Sequence, residues 1–194
     1  MNELVKIYLV RHGDTAWTLS RQHTGSTDIP LTPHGEEQAQ ALAKRVRKIE
    51  FAEVLSSPMQ RASHTAELAG FTPAIEPLLR EWNYGDYEGL TTLEIQKKQP
   101  NWNVFRDGCP GGESHSQVSK RADEFVAMLR KKQGNIAVFS HAHFLRVIAA
   151  RWINEPVELA QHLLLGTTSV SVLGFEHHKA DEPVIELWNE TCSL

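Results

Sequence analysis

The sequence predicts an α/β fold, a mainly parallel sheet with helices on both faces. Three observations carry this. Short apolar runs such as 6–10 and 136–140 have the composition of strands buried on both faces, the type used in parallel sheets. Helix start and stop signals alternate with those runs through the first three-quarters of the chain. The last quarter shows two strand-like runs in succession, which predicts an antiparallel pair. At 194 residues and 41% hydrophobic content, the chain suits one domain over 1–194 with a sizeable core.

The elements follow in order. Residues 6–10 form the first strand, and a loop rich in Gly, Thr and Pro spans 13–31. Thr32 then predicts an N-cap with Pro33 as the first helical residue. Ala39, Leu42, Val46 and Ile49 recur at spacings of three and four, making one apolar stripe. Residues 53–56 read as a second strand. Ser57 to Gln60 has the form of a capping box with Pro58 at the first helical position, and Gly70 marks that helix's end. Ser114 and Gln117 predict another helix start, with Val118, Ala122, Phe125 and Leu129 on the buried side and Gly134 as the stop. Residues 136–140 are the third strand, and 142–153, apolar almost all round, predict a buried helix. Runs 169–175 and 184–188, joined by 177–183, supply the antiparallel pair.

Composition excludes several functions. A formal net charge of -4 argues against a nucleic-acid groove but is compatible with a local cationic pocket for a small anion. No stretch has the apolar length needed to span a bilayer, and the N-terminus lacks a secretory pattern, so the expectation is a cytoplasmic protein with no membrane partner. Cys109 and Cys192 have neither metal-type nor redox-type spacing and read as two free thiols in a reducing compartment.

The predicted topology has a functional consequence. Open α/β sheets bind ligands beyond the carboxyl ends of their strands. Arg11 and His12 follow the first strand, Ser57 and Arg61 the second, and His141 the third, so one sheet edge receives all of them. Arg61 falls in a first helical turn, where free backbone N–H groups and the helix dipole favour an anion. A transferring phosphoryl group spreads charge over three oxygens, and two guanidiniums offer rigid donors to them. A protonated His141 would add a third cationic donor. A neutral His12, one ring nitrogen held by a carbonyl, would aim the other at phosphorus. No metal or cofactor is needed for this chemistry. A carboxyl group must protonate the leaving alkoxide and then activate water. Glu81, Asp86 and Glu88 all compete for that task on chemistry alone.

These motifs together resemble the histidine phosphatase superfamily, the phosphoglycerate mutase-like family. The matching residues are 9–13 (Leu-Val-Arg-His-Gly), Thr24 and Gly25, Leu31 and Thr32 with Gly35, 56–61 (Ser-Ser-Pro-Met-Gln-Arg), 79–81 (Leu-Arg-Glu), 84–86 (Tyr-Gly-Asp), Glu88 and Gly89, and Ser140 with His141. They occur in the family's order along nearly the whole chain. The resemblance implies His12 as the phosphorylated nucleophile, Glu81 as acid and base, and Arg11, Arg61 and His141 as the rest of the phosphate pocket, on a twisted, mostly parallel sheet. Asp14 and Ala142 depart from the family's usual residues. A closer likeness, carried by residues 80–89 and 102–109, is to the branch of sedoheptulose-1,7-bisphosphatase-type sugar phosphatases. It implies a sugar phosphate or bisphosphate substrate, Thr24, Ser57 and Tyr84 as pocket lining, and Arg106 as a candidate for a second phosphate or sugar hydroxyls. Trp102 and Phe105 read as packing residues.

Three rival readings stand beside this one. A phosphoglycerate mutase must keep its phosphohistidine from water; mutases of the family carry an extra segment after the Glu motif and a longer tail, whereas 90–112 is short here. A non-catalytic phosphate-binding protein would have lost His12 or Glu81, and both are present. A metallo-hydrolase would need His141 and His143, with His177 and His178, as ligands, yet residues two apart share no helix face. His23, His34, His64, His115 and His162 read as surface or loop histidines.

Overall fold

The structure, a computed structural model, describes residues 4–191. Its strands are β1 (Lys6–Arg11), β2 (Glu53–Ser56), β3 (Ala74–Ile75), β4 (Asn135–Ser140), β5 (Val170–Phe175) and β6 (Pro183–Glu190). Its helices are α1 (Ala16–Ser20), α2 (Pro33–Val46), α3 (Gln60–Leu68), α4 (Thr92–Lys98), α5 (Val104–Asp107), α6 (His115–Leu129) and α7 (Ala142–Trp152). The strands form one six-stranded sheet in the order β3-β2-β4-β1-β5-β6. The neighbours among β3, β2, β4 and β1 pair in parallel, whereas β5 and β6 are added antiparallel. This is the expected α/β class, a mainly parallel sheet closed by an antiparallel tail.

Strand alternation builds the two layers. Along β4, Ala137 and Phe139 point to one face and Ile136 and Val138 to the other. The first pair packs with Val10 and Val170 against Leu42 and Val46 of α2 and Ala66 of α3. The second packs with Ile7, Leu9 and Leu173 against α6 and α7, where Phe125, Phe144 and Trp152 are fully buried. Each fully buried aromatic or aliphatic side chain contributes about 1.5–3 kcal/mol, so β4, covered on both sides, clamps the layers together.

Several local expectations are corrected. The loop over 13–31 contains α1, opened by a capping box between Thr15 and Thr18. Ser57 is not a helix cap: its amide still donates to Phe139 O, in continuation of β2, and α3 begins three residues later. Asp28, from another loop, accepts from the Gln60 amide instead, at 2.9 Å. Ile49 lies beyond the end of α2 and is only half-buried. Gly134 follows the end of α6 by several residues; its φ of 72° turns the chain into β4. The cap residues Thr32 and Ser114 and the buried sets of α6 and α7 are where the sequence puts them. Cys109 is a buried free thiol, and Cys192 lies outside the described residues. Among the described residues no helix is long and apolar enough to cross a membrane.

Candidate active site

Register brings the site together. Arg11 is level with Ser140, and Ser56 with Phe139, so β1, β2 and β4 end at one edge. His12, Ser57 and His141 are the next residues along each strand. Thr168, held at a left-handed φ of 50°, donates its amide to the Arg11 carbonyl at 3.1 Å and ties the β5 approach to the same edge.

His12 is buried and hydrogen-bonded, its Nδ1 lying 2.7 Å from Gly13 O. A carbonyl only accepts, so Nδ1 carries the proton and Nε2 keeps its lone pair. The backbone behind it is tight. A Cβ on Gly13 would sit 2.4 Å from Gly35 O, and one on Gly35 would sit 2.2 Å from Asp14 O, so glycine is required on both sides of this crossing. Asp14 turns away from the pocket to Gln38 Nε2 (3.0 Å) and His34 Nδ1 (3.1 Å) on α2. Burial pushes His12 well below the usual histidine range, and Arg61 and Arg11 push it the same way against the Gly13 carbonyl.

Arg61 is fully buried and mostly occupied. Its Nε donates to His141 Nδ1 at 3.1 Å, NH1 to Thr27 O at 3.0 Å, and NH2 to Thr24 O and Gly25 O at 3.2 and 3.0 Å. The guanidinium therefore shapes the 24–27 loop as well as supplying charge. Glu88 Oε1 fixes the same loop by accepting from the Gly25 and Thr27 amides, both at 2.9 Å. The expectation of a cationic His141 is not met. An arginine Nε can only donate, so His141 Nδ1 is the acceptor, and its Nε2–H donates to Ser57 Oγ at 2.8 Å. Burial first, then Arg61, holds this imidazole well below its ordinary pKa. The His12 and His141 rings meet edge to face at 5.1 Å. Arg11 donates NH1 to Leu165 O at 2.6 Å, while its buried Nε has no hydrogen-bond partner among the described residues.

The three rival carboxylates separate clearly. Asp86 is exposed, and Glu88 is committed to the 24–27 loop. Glu81 is buried and takes three backbone N–H groups: Trp82 and Phe144 on Oε1, both at 2.8 Å, and His143 on Oε2 at 3.0 Å. It thereby caps α7 from a distance, since the N-cap residue His141 makes no side-chain cap of its own. Burial raises its pKa; the three amides and Arg61 oppose the rise.

Arg121 of α6, which no sequence pattern singles out, holds the Glu81 backbone. It donates to Leu78 O and Arg80 O at 2.7 Å, to Glu81 O at 3.3 Å and to both Glu113 carboxylate oxygens, and its guanidinium stacks 3.8 Å over the Phe144 ring. Its partners are carbonyls some 40 positions away in the chain, so no local pattern announces it. A second cluster joins Tyr84, an expected lining residue, to His143 and His23, which the sequence does not connect with it. Tyr84, buried, places its hydroxyl 2.5 Å from His143 Nδ1, and His23 packs 4.8 Å from the Tyr84 ring. His23 is thus not a plain surface residue; burial lowers its pKa to about 4.

Of the expected lining residues, Ser57 and Thr24 touch His141 and Arg61, and Tyr84 lies beside Glu81 through His143. Arg106 is not brought to this group. It is exposed on α5, paired with Asp107 at 2.7 Å and donating to Asn101 O. Trp102 and Phe105 are buried packing residues, as expected. His141 and His143 face different partners, Arg61 and Tyr84, rather than a common point.

Known proteins share this arrangement's family. A model described as the histidine phosphatase superfamily, branch 1, matches residues 7–191. The chain is 40% identical over 177 residues to an acid phosphatase of Mycobacterium tuberculosis, covering 89% of this chain and 87% of that protein. It is 33% identical over 246 residues to sedoheptulose 1,7-bisphosphatase of Saccharomyces cerevisiae, covering 92% of this chain and 90% of the relative. A solved structure of an open reading frame from Mycobacterium tuberculosis superposes with a TM-score of 0.92 at 37% identity, covering 96% of this chain and 97% of that one. The chain accordingly belongs to branch 1 of the histidine phosphatase superfamily and is a phosphatase, a phosphoric monoester hydrolase.

Proposed function

We propose that the protein hydrolyses a small sugar phosphate or bisphosphate through a phosphohistidine formed on His12, with no metal or cofactor. The observation that carries this is the state of His12: neutral, its Nδ1 fixed on Gly13 O, its Nε2 lone pair free among Arg11, Arg61 and His141. The substrate phosphate docks against Arg11 Nε and the remaining Arg61 N–H, beside the His141 ring whose two nitrogens serve Arg61 and Ser57. Nε2 of His12 attacks phosphorus as the P–O bond to the sugar breaks, and the Glu81 carboxyl proton passes to the departing oxygen. Its raised pKa supports a protonated start. In the second half, Glu81 takes a proton from water, the oxygen attacks phosphorus, and the P–N bond breaks to restore neutral His12 and release phosphate. A reducing cytoplasm fits this reading, with Cys109 as an inert buried thiol pushed up to about 12.

Replacing the nucleophile tests the reading. His12→Ala should lower phosphate release by roughly 10⁴-fold or more; an undiminished rate overturns the covalent route. Assay of the wild type with 3-phosphoglycerate and a bisphosphoglycerate primer should give free phosphate. Interconversion without release would make the protein a mutase instead.

A further inference from the structure

The carbonyl that holds the nucleophile is itself held from behind. His12 Nδ1–H donates to Gly13 O at 2.7 Å, a contact between neighbouring residues that depends on how the peptide between Gly13 and Asp14 is turned. Gly13 has no side chain to anchor that peptide, and the crossing with Gly35 leaves no room for one. Two hydrogen bonds set it. The Gly13 amide donates to Thr65 Oγ1 at 3.1 Å; that hydroxyl spends its own proton on Arg61 O at 2.7 Å, which leaves it an acceptor. The Asp14 amide, the N–H of the same peptide whose carbonyl receives His12, donates to Gln38 Oε1 at 2.9 Å. Gln38 is fixed in that orientation, because its Nε2 donates to Asp14 Oδ2 at 3.0 Å. One side chain on α2 thus grips both the amide and the carboxylate of Asp14. His34 Nδ1, from the first turn of the same helix, steadies that carboxylate at 3.1 Å. Asp14 and Thr65 are buried and Gln38 is half-buried, so water competes little for these bonds. A peptide whose N–H is hydrogen-bonded presents a stronger acceptor at its carbonyl. A stronger acceptor on Nδ1–H fixes the tautomer and adds electron density at Nε2.

We propose that Gln38 is a positioning residue for the nucleophile: locked by Asp14, it orients and polarises the peptide between Gly13 and Asp14, and through it keeps His12 in the Nδ1–H tautomer with Nε2 free to attack. The inference rests on the covalent reading above and extends it to a side chain that hydrogen-bonds neither His12 nor the phosphate donors. A glutamine that only docked α2 onto the chain after His12 would affect stability alone. One that acts through the peptide must also change the imidazole.

Three variants separate the two roles. Gln38→Ala removes the grip. Gln38→Glu keeps an acceptor for the Asp14 amide but sets two carboxylates against each other. Gln38→Glu combined with Asp14→Asn exchanges donor and acceptor and restores both bonds. With p-nitrophenyl phosphate as substrate, kcat/KM reports attack by His12, and inhibition by inorganic phosphate reports docking. Long-range ¹H–¹⁵N NMR of histidine-labelled protein reads the His12 tautomer. Gln38→Ala should lower kcat/KM by about 10–100-fold with phosphate inhibition changed by less than about threefold, and its His12 signals should move toward the Nε2–H tautomer. Gln38→Glu should also lose rate, and the double variant should return to within about fivefold of wild type with the wild-type tautomer. A folded Gln38→Ala with wild-type kcat/KM, or with a lowered kcat/KM but an unchanged His12 spectrum, overturns the inference. So does a double variant that regains its melting temperature but not its rate. Should Gln38→Ala fail to fold, the other two variants decide: a wild-type rate in Gln38→Glu, or no recovery in the double variant, overturns it. If the wild type hydrolyses p-nitrophenyl phosphate as fast as His12→Ala does, the covalent reading falls instead, while the His12 spectrum still reports whether Gln38 sets the tautomer.

Discussion

Glu81→Gln separates the two half-reactions. The glutamate accepts three backbone N–H groups on two oxygens, whereas glutamine has one acceptor oxygen. The orientation that keeps Oε1 on Trp82 and Phe144 turns the amide NH2 toward the His143 N–H, leaving that donor without its partner. The structural penalty is about 1–3 kcal/mol, small enough for the fold to persist. The chemical penalty is larger, because the side chain can no longer give or take a proton; loss of a general acid and base slows turnover by about 10²–10⁴-fold. A sugar phosphate, with its poor leaving group, should show the full loss from the first step. p-Nitrophenyl phosphate needs little protonation of its leaving group, so His12 should still be phosphorylated while hydrolysis stalls. Stopped-flow absorbance should then record a burst near one p-nitrophenolate per chain, followed by slow release. Sugar phosphate turnover within about twofold of wild type would refute the assignment.

Three further predictions test the surroundings. Arg121→Ala removes the clamp on the Glu81 carbonyl and leaves Glu113 without its cation; stability should fall by about 3 kcal/mol in denaturant titration, and kcat by up to about 10²-fold with less change in KM. Equal kcat in Arg121→Ala and wild type would contradict a positioning role. Gly13→Ala should destabilise strongly or displace His12, because its Cβ meets backbone at 2.4 Å, and a folded variant of unchanged activity would contradict the close crossing. Acid should destabilise the protein: His12 and His141, buried, and His143 and His23, partly buried, all have lowered pKa values, so the unfolded chain binds protons that the folded one refuses. Stability is full above the unfolded value near 6.5 and drops as pH falls below it, by up to about 1.4 kcal/mol per pH unit for each group, down to about 4 for His23. Glu81, raised, acts in the opposite direction, adding stability as pH falls through its folded pKa. A denaturation midpoint flat between pH 7 and 4.5 would contradict this balance.

The sequence was most legible where structure is local. Thr32 and Ser114 cap their helices through their own side chains, and both helices begin where those residues stand. The strand ends that deliver His12, Ser57 and His141 follow from short apolar runs and sheet topology. Ser57 misled because its hydroxyl serves His141 while Asp28, remote in sequence, caps α3. β3 is two exposed residues and α5 is four, too short for any period to register. The capping box of Thr91 and Glu94 would have found α4. On chemistry alone Glu81, Asp86 and Glu88 were equal and only the resemblance picked Glu81; burial and the backbone amides that donate to it are what distinguish it in the fold. Arg121 looks like the polar face of its helix; its role arises from carbonyls brought in by folding, which no spacing encodes.

The proposed cycle depends on which nitrogen of which residue carries phosphorus. Rapid-quench labelling of Glu81→Gln with substrate, followed by peptide mapping and ³¹P-detected NMR of the adduct, measures it directly. The prediction is close to one acid-labile phosphoryl group per chain, on His12 and on Nε2, since Nδ1 is held by the Gly13 carbonyl. Phosphate found on Nδ1, on another residue, or on none while turnover continues would contradict it.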